Sequence, residues 1–471
     1  MKKYDLVVIG SGPAGEKAAV KAAYFNKSVA LIEKKPVFGG AGVHTGTLPS
    51  KTLKETSLYY SGIDDKGRFG VDRKFDHQTS IKDFMFRKNF VISSEAKEVE
   101  RNLTLHKVDT YQGTASFQDS HTVRIEGEKN DSIQADYFII ATGSYPVQPS
   151  NIPFEFKLVH DSDSILDIKR FPRSICVVGA GVIGCEYATI FSTMGTKVYL
   201  INHRDDILPF LDKEISHSLI NAMEIRNIEI LFNNSFDTIT LPKNPENPDE
   251  KIKISLKTGL EIYTEMFLFA AGRSGNVKGL HLDKAGVELG EREVIKVNDS
   301  YQSSVPHIYA VGDVIGFPAL ASTSMEQGRV AVAHIFNTGD LEHVPDVFPY
   351  GIYTIPEVSM VGITEEEAKK QGIPYCVGKA RYEDMPRGKI MGCEDGFLKL
   401  IFRRDNLQIL GVHILGRIAT ELVHYGMSLI ENKKHVFNVI STVFNFPTLH
   451  DLYKYACYDG LGNLSGHKIK I

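Results

Sequence analysis

The chain has 471 residues, of which 42% are hydrophobic and 24% charged, which is ordinary for a globular protein of about three domains. A net charge of −4, spread along the chain, argues against a nucleic-acid-binding arm or a polybasic membrane patch. We find no apolar run of about 18 residues and expect no signal peptide. Five widely spaced cysteines exclude a disulfide-stapled secreted domain and a Cys-type zinc finger. We therefore expect a cytoplasmic α/β protein that holds no metal and binds neither nucleic acid nor membrane.

The first predicted elements form a strand, a glycine turn, a helix and a second strand. An apolar strand at 4–9 precedes a G-x-G-x-x-G turn, an alanine-rich helix at 16–23 and a strand that ends on Glu33. The first glycine of such a turn bends tightly, the second lets a pyrophosphate approach, and the third lets the helix pack on the strand. The helix N-terminus then faces the phosphates. This pattern predicts a dinucleotide site that includes Gly10, Gly12, Gly15 and Glu33.

The same pattern recurs later in the chain. A strand at 175–178 leads into a second G-x-G-x-x-G turn and a helix at 185–191, and the next strand ends on Asn202. The third glycine and the strand end are 18 residues apart in both copies, from 15 to 33 and from 184 to 202. Two copies with equal spacing predict two dinucleotide-binding domains, the second of which uses Gly179, Gly181 and Gly184.

The two strand ends predict different dinucleotides. The Glu33 carboxylate suits a free ribose 2′-hydroxyl, whereas neutral Asn202 does not repel a 2′-phosphate. Arg204, with His203 before it, can make charge-assisted hydrogen bonds to that phosphate. We expect the second site to accept NADPH and to tolerate NADH. The alternative is that Arg204 is a solvated surface residue.

Later segments complete the expected organisation. Strands that end on glycine signals are predicted at 137–143, 266–273 and 307–313, and residues 242–251 are predicted to form a hairpin loop. From about residue 347 the chain contains a strand at 409–415 and an amphipathic helix at 420–431. No glycine fingerprint occurs there, so we expect this last part not to bind a nucleotide.

Taken together, these motifs resemble the FAD-dependent pyridine nucleotide–disulfide oxidoreductases, a family that includes dihydrolipoamide dehydrogenase, glutathione reductase and mercuric reductase. The resemblance covers nearly the whole chain. It implies an α/β fold with two Rossmann-like domains and a C-terminal α+β domain. It also implies a discontinuous FAD-binding domain at 1–148 and 276–346, an NAD(P)-binding domain at 149–275 and a homodimerisation domain at 347–471.

The resemblance also assigns roles to individual residues. Lys51, on a helix that we expect to open at Pro49, would lie near the flavin and pair with Glu186, and these two are the candidate catalytic residues. An ordinary interdomain salt bridge is the alternative. Asp313 would bond the flavin ribityl chain, and a helix from Leu320 would point at the flavin pyrimidine. The FAD residues are Gly10, Gly12, Gly15, Glu33, Lys51, Gly113, Thr142, Gly143, Gly312, Asp313 and Ala321. The NAD(P) residues are Gly179, Gly181, Gly184, Glu186, Asn202, His203, Arg204, Gly272 and Arg273.

The chain departs from this family at its reactive centre. The two positions of the redox-active cysteines hold Gly42 and Thr47, and the position of the proton-transferring histidine holds Phe446. His450 is the nearest ionisable alternative, and its offset of four positions makes it a surface or interface residue. Dithiol exchange needs a thiolate and a general acid–base, so we expect no activity on disulfide substrates.

One branch of the family transfers hydride without a disulfide, namely the soluble, Si-specific NAD(P)+ transhydrogenases. The chain is similar to that branch at residues 161–166, 179–187, 351–357 and 444–448. The branch often keeps the first cysteine, which is absent here. The leading hypothesis is a flavoprotein that exchanges hydride between NADPH and NAD+ by a ping-pong mechanism. The alternatives are an NAD(P)H dehydrogenase that reduces a quinone, and an inactive flavin-bearing structural subunit.

Overall fold

The computed structural model describes residues 1–62, 80–128, 130–244, 247, 250–393 and 395–466. The strands are β1 (Lys2–Ile9), β2 (Val29–Glu33), β3 (Asp109–Gln112), β4 (Thr114–Asp119), β5 (Thr122–Glu126), β6 (Asp131–Ile140), β7 (Ser144–Pro146), β8 (Val159–Asp161), β9 (Ser174–Val178), β10 (Lys197–Ile201), β11 (Ile228–Leu231), β12 (Phe236–Thr240), β13 (Ile252–Leu256), β14 (Glu261–Thr264), β15 (Met266–Phe269), β16 (Arg273–Gly275), β17 (Ile308–Ala310), β18 (Tyr350–Ile352), β19 (Val358–Gly362), β20 (Tyr375–Arg381), β21 (Phe397–Arg403) and β22 (Ile409–Leu415).

Helices connect these strands and cover the sheets. The α-helices are α1 (Pro13–Tyr24), α2 (Gly40–His44), α3 (Thr47–Ser61), α4 (Ile81–Leu105), α5 (Val182–Thr193), α6 (Lys213–Ile225), α7 (Leu282–Ala285), α8 (Ala321–Phe336), α9 (Glu365–Lys370), α10 (Pro386–Met391), α11 (Ala419–Glu431), α12 (Val436–Ser441) and α13 (Asp451–Ser465). Within the described ranges, no helix combines the length and the apolar character needed to cross a membrane.

The first sheet carries the first glycine fingerprint. Its strand order is β3-β2-β1-β6-β5-β4, and β17 pairs with β6. Strands β2, β6 and β17 run parallel within it, and β1 lies between β2 and β6. Strand β1 is apolar on both faces because both faces are covered. Leu6 and Val8 pack with residues of α1 and α8, whereas Val7 packs with residues of β4 and β5, and all three are fully buried. The turn after β1 therefore opens at the carboxyl edge, where the strand order reverses, which is the usual ligand position in such sheets.

The second sheet repeats this arrangement around the second fingerprint. Its order is β11-β10-β9-β15-β8, and all its pairs are parallel. A small antiparallel sheet, β12-β13-β14, lies beside it. The strands on either side of the predicted loop at 242–251, β12 and β13, are antiparallel, and residues 245, 246, 248 and 249 of that loop lie outside the described residues. The strand that precedes the glycine turn, β9, lies between β10 and β15, so the second site also opens where the strand order reverses.

The last part of the chain is a five-stranded antiparallel sheet, in the order β18-β19-β22-β21-β20, packed against α11 and α13. The predicted strand at 409–415 is confirmed, and the predicted helix begins one residue earlier, at Ala419. The predicted α/β fold class is confirmed. The proposed boundaries between the domains remain a prediction.

Buried charged side chains form ion pairs between the start of α6, which follows β10 of the second sheet, and the antiparallel sheet. Lys399, on β21, is 1% exposed, and its Nζ lies 2.8 Å from Oδ1 of the fully buried Asp212 at the start of α6. Glu365 pairs with the same ammonium at 2.6 Å. Glu214 Oε2 lies 3.3 Å from it, so three carboxylates compensate the charge of one buried ammonium. Beside them, His413 is buried and bonds the Ile363 carbonyl oxygen through Nε2.

Candidate functional site

The first glycine turn meets the geometric demands that its sequence predicts. Gly10 has a φ of +104°, and a Cβ there would stand 2.5 Å from the Ala141 carbonyl oxygen. A Cβ on Gly15 would stand 1.9 Å from the Gly10 carbonyl oxygen, so the helix packs on the strand only through glycine. At Gly12 the nearest described atom outside its neighbours is Gly40 Cα, at 3.9 Å. The second glycine alone therefore faces open space, where a pyrophosphate can approach the backbone.

The second glycine turn is a geometric copy of the first. Gly179 also has a φ of +104°, and a Cβ on Gly184 would stand 1.8 Å from the Gly179 carbonyl oxygen. At Gly181, apart from its neighbours, no described atom lies within 4 Å of the added Cβ. The two turns therefore present the same kind of phosphate-sized opening at the N-terminus of α1 and of α5.

The two strand ends differ in chemistry. Glu33 is buried, and its carboxylate accepts hydrogen bonds from Ser11 N at 3.0 Å, Ser11 Oγ at 2.7 Å and Lys35 N at 2.9 Å. Asn202 donates through Nδ2 to the Asp206 carbonyl oxygen at 2.6 Å, which leaves its amide oxygen as an acceptor. His203 and Arg204 are exposed beside it. Burial, and next the neighbouring Asp205, raise the pKa of the Asp206 carboxyl above its usual range.

The first site contains a polar atom that needs a partner. The Thr142 hydroxyl oxygen is buried, and within the described chain it makes no hydrogen bond. Next to it, Gly143 has a φ of +68°, and no described atom lies within 4 Å of its added Cβ. Asp313 lies nearby and accepts a hydrogen bond from Ser144 Oγ at 2.8 Å. Helix α8 begins at Ala321, with Leu320 before it, as predicted. A buried hydroxyl without a hydrogen-bond partner, a glycine with free space beside it and a helix N-terminus are features that fit a dinucleotide cofactor.

Two further predicted residues have backbone or interdomain contacts. Gly113 has a φ of +156°, and its N–H donates to the Glu33 carbonyl oxygen at 2.9 Å, which aligns β2 with the following hairpin. Arg273 donates through Nε to Ser144 Oγ at 2.8 Å, and through Nη1 to Ser162 Oγ at 3.1 Å and to Asp163 Oδ1 at 3.2 Å. Its guanidinium is thus largely occupied within the protein. Gly272, beside it, leaves open space, with Val147 Cγ2 at 3.9 Å from its added Cβ.

Lys51 and Glu186 form a tight ion pair between α3 and α5. Lys51 Nζ lies 2.7 Å from both carboxylate oxygens of Glu186, whose side chain is 4% exposed. The same carboxylate accepts from Ser50 Oγ at 3.3 Å and from Tyr353 N at 3.0 Å. The expected start of this helix at Pro49 is wrong, because α3 begins at Thr47. Proline is tolerated in the first turn, where N–H groups have no intrahelical partner.

The reactive centre expected of a disulfide reductase is not present. Thr47 opens α3, and at Gly42 a Cβ would stand 2.8 Å from Pro13 Cγ, so a larger side chain there would crowd Pro13. The five cysteines of the chain are buried thiols elsewhere, and burial raises the pKa of Cys176 and Cys185, and that of Cys457 to about 12. The thiolate form needed for exchange is therefore disfavoured at each of these three.

The histidines and aromatic residues near these positions have ordinary packing roles. His44 bonds the Phe38 carbonyl oxygen through Nε2 at 2.7 Å. His450 is partly buried, which lowers its pKa, and its ring packs on Tyr425 and Tyr453. Tyr187, next to Glu186 on α5, is 3% exposed. Phe446 is 71% exposed on the antiparallel unit.

Four contacting residues were missed by the sequence analysis. Ser11 and Ser144 hold Glu33 and Asp313, while Ser50 and Tyr353 hold Glu186. Ser11 and Ser144 lie within or beside the predicted motifs, and Ser50 directly precedes Lys51, so this proximity was their only signal. Tyr353 lies in the segment 351–357, which resembles the transhydrogenase branch but to which the sequence assigned no role. The described residues contain no group of three or more side chains arranged to hold a metal ion.

Comparisons with known proteins agree with this architecture. Residues 4–328 match the family described as pyridine nucleotide-disulphide oxidoreductase, and residues 348–457 match its dimerisation domain. Proteins named soluble pyridine nucleotide transhydrogenase, from Mycobacterium tuberculosis and Pseudomonas putida, are 42% and 39% identical to the chain. The matches cover 98% of this chain in both cases, and 98% and 99% of the relatives.

Solved structures of low sequence identity share the fold. The HOCl-induced flavoprotein disulfide reductase RclA from Escherichia coli is 24% identical, with a TM-score of 0.87 over 97% of this chain and 99% of that chain. LpdA from Mycobacterium tuberculosis is 22% identical, with a TM-score of 0.87 over the same shares of the two chains. Because the family matches span both glycine turns and the antiparallel sheet, we conclude that this chain belongs to the pyridine nucleotide–disulphide oxidoreductase family.

Proposed function

We propose that this protein transfers hydride between NADPH and NAD+, as a pyridine nucleotide transhydrogenase with FAD as its bound cofactor. The observation that carries the proposal is the composition of the site. Both glycine turns and the Lys51–Glu186 pair are intact, whereas the thiols and the histidine of dithiol chemistry are replaced. The relatives that match over 98% of the chain carry the transhydrogenase name. We include Si-specificity of hydride transfer, with respect to the nicotinamide ring, in the proposal.

FAD fits the first turn by its chemistry. Gly12 would admit the pyrophosphate, Glu33 would accept from the ribose, and the unsatisfied Thr142 hydroxyl and Asp313 would bond the flavin half. When bound, the flavin supplies two-electron chemistry, accepting a hydride from one nicotinamide and donating it to another. Lys51 supplies a fixed positive charge that stabilises negative charge developing nearby during this transfer.

The second turn would bind the nicotinamide dinucleotides, one at a time. Gly181 would admit the pyrophosphate, the Asn202 amide would bond the ribose, and Arg204 would pair with the 2′-phosphate of NADPH. With the first turn occupied by FAD, NADPH and NAD+ must use the second turn in succession. The first product therefore leaves before the acceptor enters, which is a ping-pong mechanism.

We further propose a cytoplasmic homodimer that assembles through residues 347–471. The match of residues 348–457 to a dimerisation domain supports this assembly. Phe437, Val443 and Phe446 are 59%, 93% and 71% exposed on this part of the chain, which is costly for large apolar side chains in a monomer. Sedimentation at micromolar concentration should give the dimer mass, and a monomer would contradict this part of the proposal.

Anaerobic half-reactions test the function directly. The purified protein should be yellow, NADPH should bleach the flavin, and NAD+ added afterwards should restore its colour. Double-reciprocal plots should be parallel, and excess NADPH should inhibit competitively with NAD+. Intersecting plots would contradict the shared site. Reoxidation by a quinone but not by NAD+ would identify a dehydrogenase, and no reduction by either dinucleotide would identify an inactive flavin-bearing subunit.

Substrates of disulfide reductases provide a second test. Lipoamide, glutathione disulfide and mercuric ion should not be turned over, because Gly42 and Thr47 cannot supply a thiolate. Gly42→Cys with Thr47→Cys should restore little activity, since Phe446 supplies no proton and the new Cβ at position 42 crowds Pro13. Measurable turnover by the unmodified protein would contradict the assignment.

A further inference from the structure

A tyrosine of the antiparallel unit contacts the candidate catalytic pair. Tyr353 follows β18, and its backbone N–H donates to Glu186 Oε1 at 3.0 Å. The Lys51 ammonium lies over its ring, with Nζ 4.9 Å from the ring centroid. This distance is within the range of a cation–π interaction. One residue therefore contacts both members of the ion pair, through its backbone and through its side chain.

The segment that carries Tyr353 is fixed to α3 at a second point. Glu357 Oε1 lies 2.5 Å from Lys54 Nζ, and both side chains are buried, at 7% and 6% exposure. Lys54 follows Lys51 by three residues on the same helix. Glu357 also accepts from Thr420 Oγ1 at 2.8 Å, at the start of α11. The segment 353–357 is thus held between α11 and the helix that carries Lys51.

The ring of Tyr353 also packs against neighbouring residues. A Cβ added at Gly351 would stand 3.5 Å from Tyr353 Cε2 and 3.1 Å from Thr420 Cγ2. Burial raises the pKa of the Tyr353 phenol, so the ring stays neutral and its face remains a site for a cation. The Tyr353 ring thus packs beside Gly351 while its face is turned to the Lys51 ammonium.

We propose that Tyr353 is a positioning residue that holds the Lys51 ammonium for hydride transfer, through its ring face and its hydrogen bond to Glu186. The proposal rests on the function proposed above for Lys51. It assigns a role in the reaction to the part of the chain that lacks a nucleotide fingerprint. A cation–π contact of this kind corresponds to about a two- to fivefold change in an equilibrium or rate.

The test compares Tyr353→Leu with Tyr353→Phe in the FAD-loaded protein. We expect Tyr353→Leu to slow flavin reduction by NADPH about two- to fivefold and to shift the flavin midpoint potential to a more negative value. Tyr353→Phe keeps the ring and should restore both readouts, while the dissociation constant for NADPH should be the same in both variants. In a Lys51→Met background, Tyr353→Leu should cause no further change.

A ring-fluorinated phenylalanine at position 353 keeps the shape of Phe and weakens the negative ring face, so it remains informative if Tyr353→Leu fails to fold. It should behave like Tyr353→Leu. Equal rates and potentials for Tyr353→Phe and the fluorinated variant would overturn the proposal, as would an undiminished effect of Tyr353→Leu in the Lys51→Met background. A wild-type protein that NADPH does not reduce would refute the transhydrogenase function, whereas the potentials would still test Tyr353.

Discussion

Replacing Lys51 by methionine should have two separable consequences, one on stability and one on hydride transfer. In this variant the Glu186 carboxylate, which is 4% exposed, loses the ammonium that lies 2.7 Å from both of its oxygens. It keeps two hydrogen-bond donors, Ser50 Oγ at 3.3 Å and Tyr353 N at 3.0 Å. Removing one partner of a buried ion pair costs about 3–5 kcal/mol. Because two donors remain and Lys51 is 24% exposed, we expect a value near the lower end, about 3 kcal/mol.

The kinetic consequence follows from the lost charge. A charge-assisted interaction contributes about 1.5–3 kcal/mol, so flavin reduction by NADPH should slow roughly 10- to 150-fold. Dinucleotide binding should change little. Stopped-flow reduction at several NADPH concentrations should therefore show a lower limiting rate but a similar half-saturation concentration.

A matched double variant separates the two effects. Lys51→Met combined with Glu186→Gln leaves no buried charge, so urea unfolding should show most of the lost stability recovered. Hydride transfer should nevertheless remain slow, because the positive charge is still missing. A double variant that is reduced as fast as the wild type would show that Lys51 and Glu186 form only an interdomain salt bridge, and would refute the catalytic assignment.

Three other perturbations test the second glycine turn, its neighbouring Arg204 and the buried His413. Arg204→Ala should weaken NADPH binding roughly 10- to 150-fold with little effect on NADH, and equal effects in titrations would place Arg204 away from the 2′-phosphate. Gly181→Ala should lower dinucleotide affinity at unchanged melting temperature, because its Cβ enters open space, whereas Gly184→Ala should lower the melting temperature. Burial lowers the pKa of His413, although the neighbouring Asp212 favours the charged form. Below about pH 6.5 the unfolded chain therefore binds a proton that the buried ring does not, and the free energy of unfolding should fall by up to about 1.4 kcal/mol per pH unit. His413→Gln should flatten this decline in unfolding experiments, and the exposed His217→Gln should not.

The amino-acid sequence was sufficient to predict the two dinucleotide turns, because their requirements are local. A φ of +104° at Gly10, and a Gly10 carbonyl oxygen that leaves no room for a Cβ at Gly15, can be met by glycine alone. The apolar runs that precede the turns likewise indicate buried parallel strands without reference to the rest of the chain. Gly42 and Thr47 stand where the resembled family has its two cysteines, and on that ground we expect no dithiol chemistry.

The tertiary structure supplied the contacts between these elements, of which only the Lys51–Glu186 pair had been implied by the family resemblance. Lys51 and Glu186 are 135 positions apart, and Tyr353 is 167 positions from Glu186, so no periodicity or spacing in the sequence connects them. The same holds for Arg273, whose donors reach Ser144 and Asp163 across 129 and 110 positions. Such contacts depend on how α3, α5 and the antiparallel sheet pack together. The sequence alone therefore determined where the two glycine turns form, and the packing of distant elements determined how the Lys51 ammonium is held.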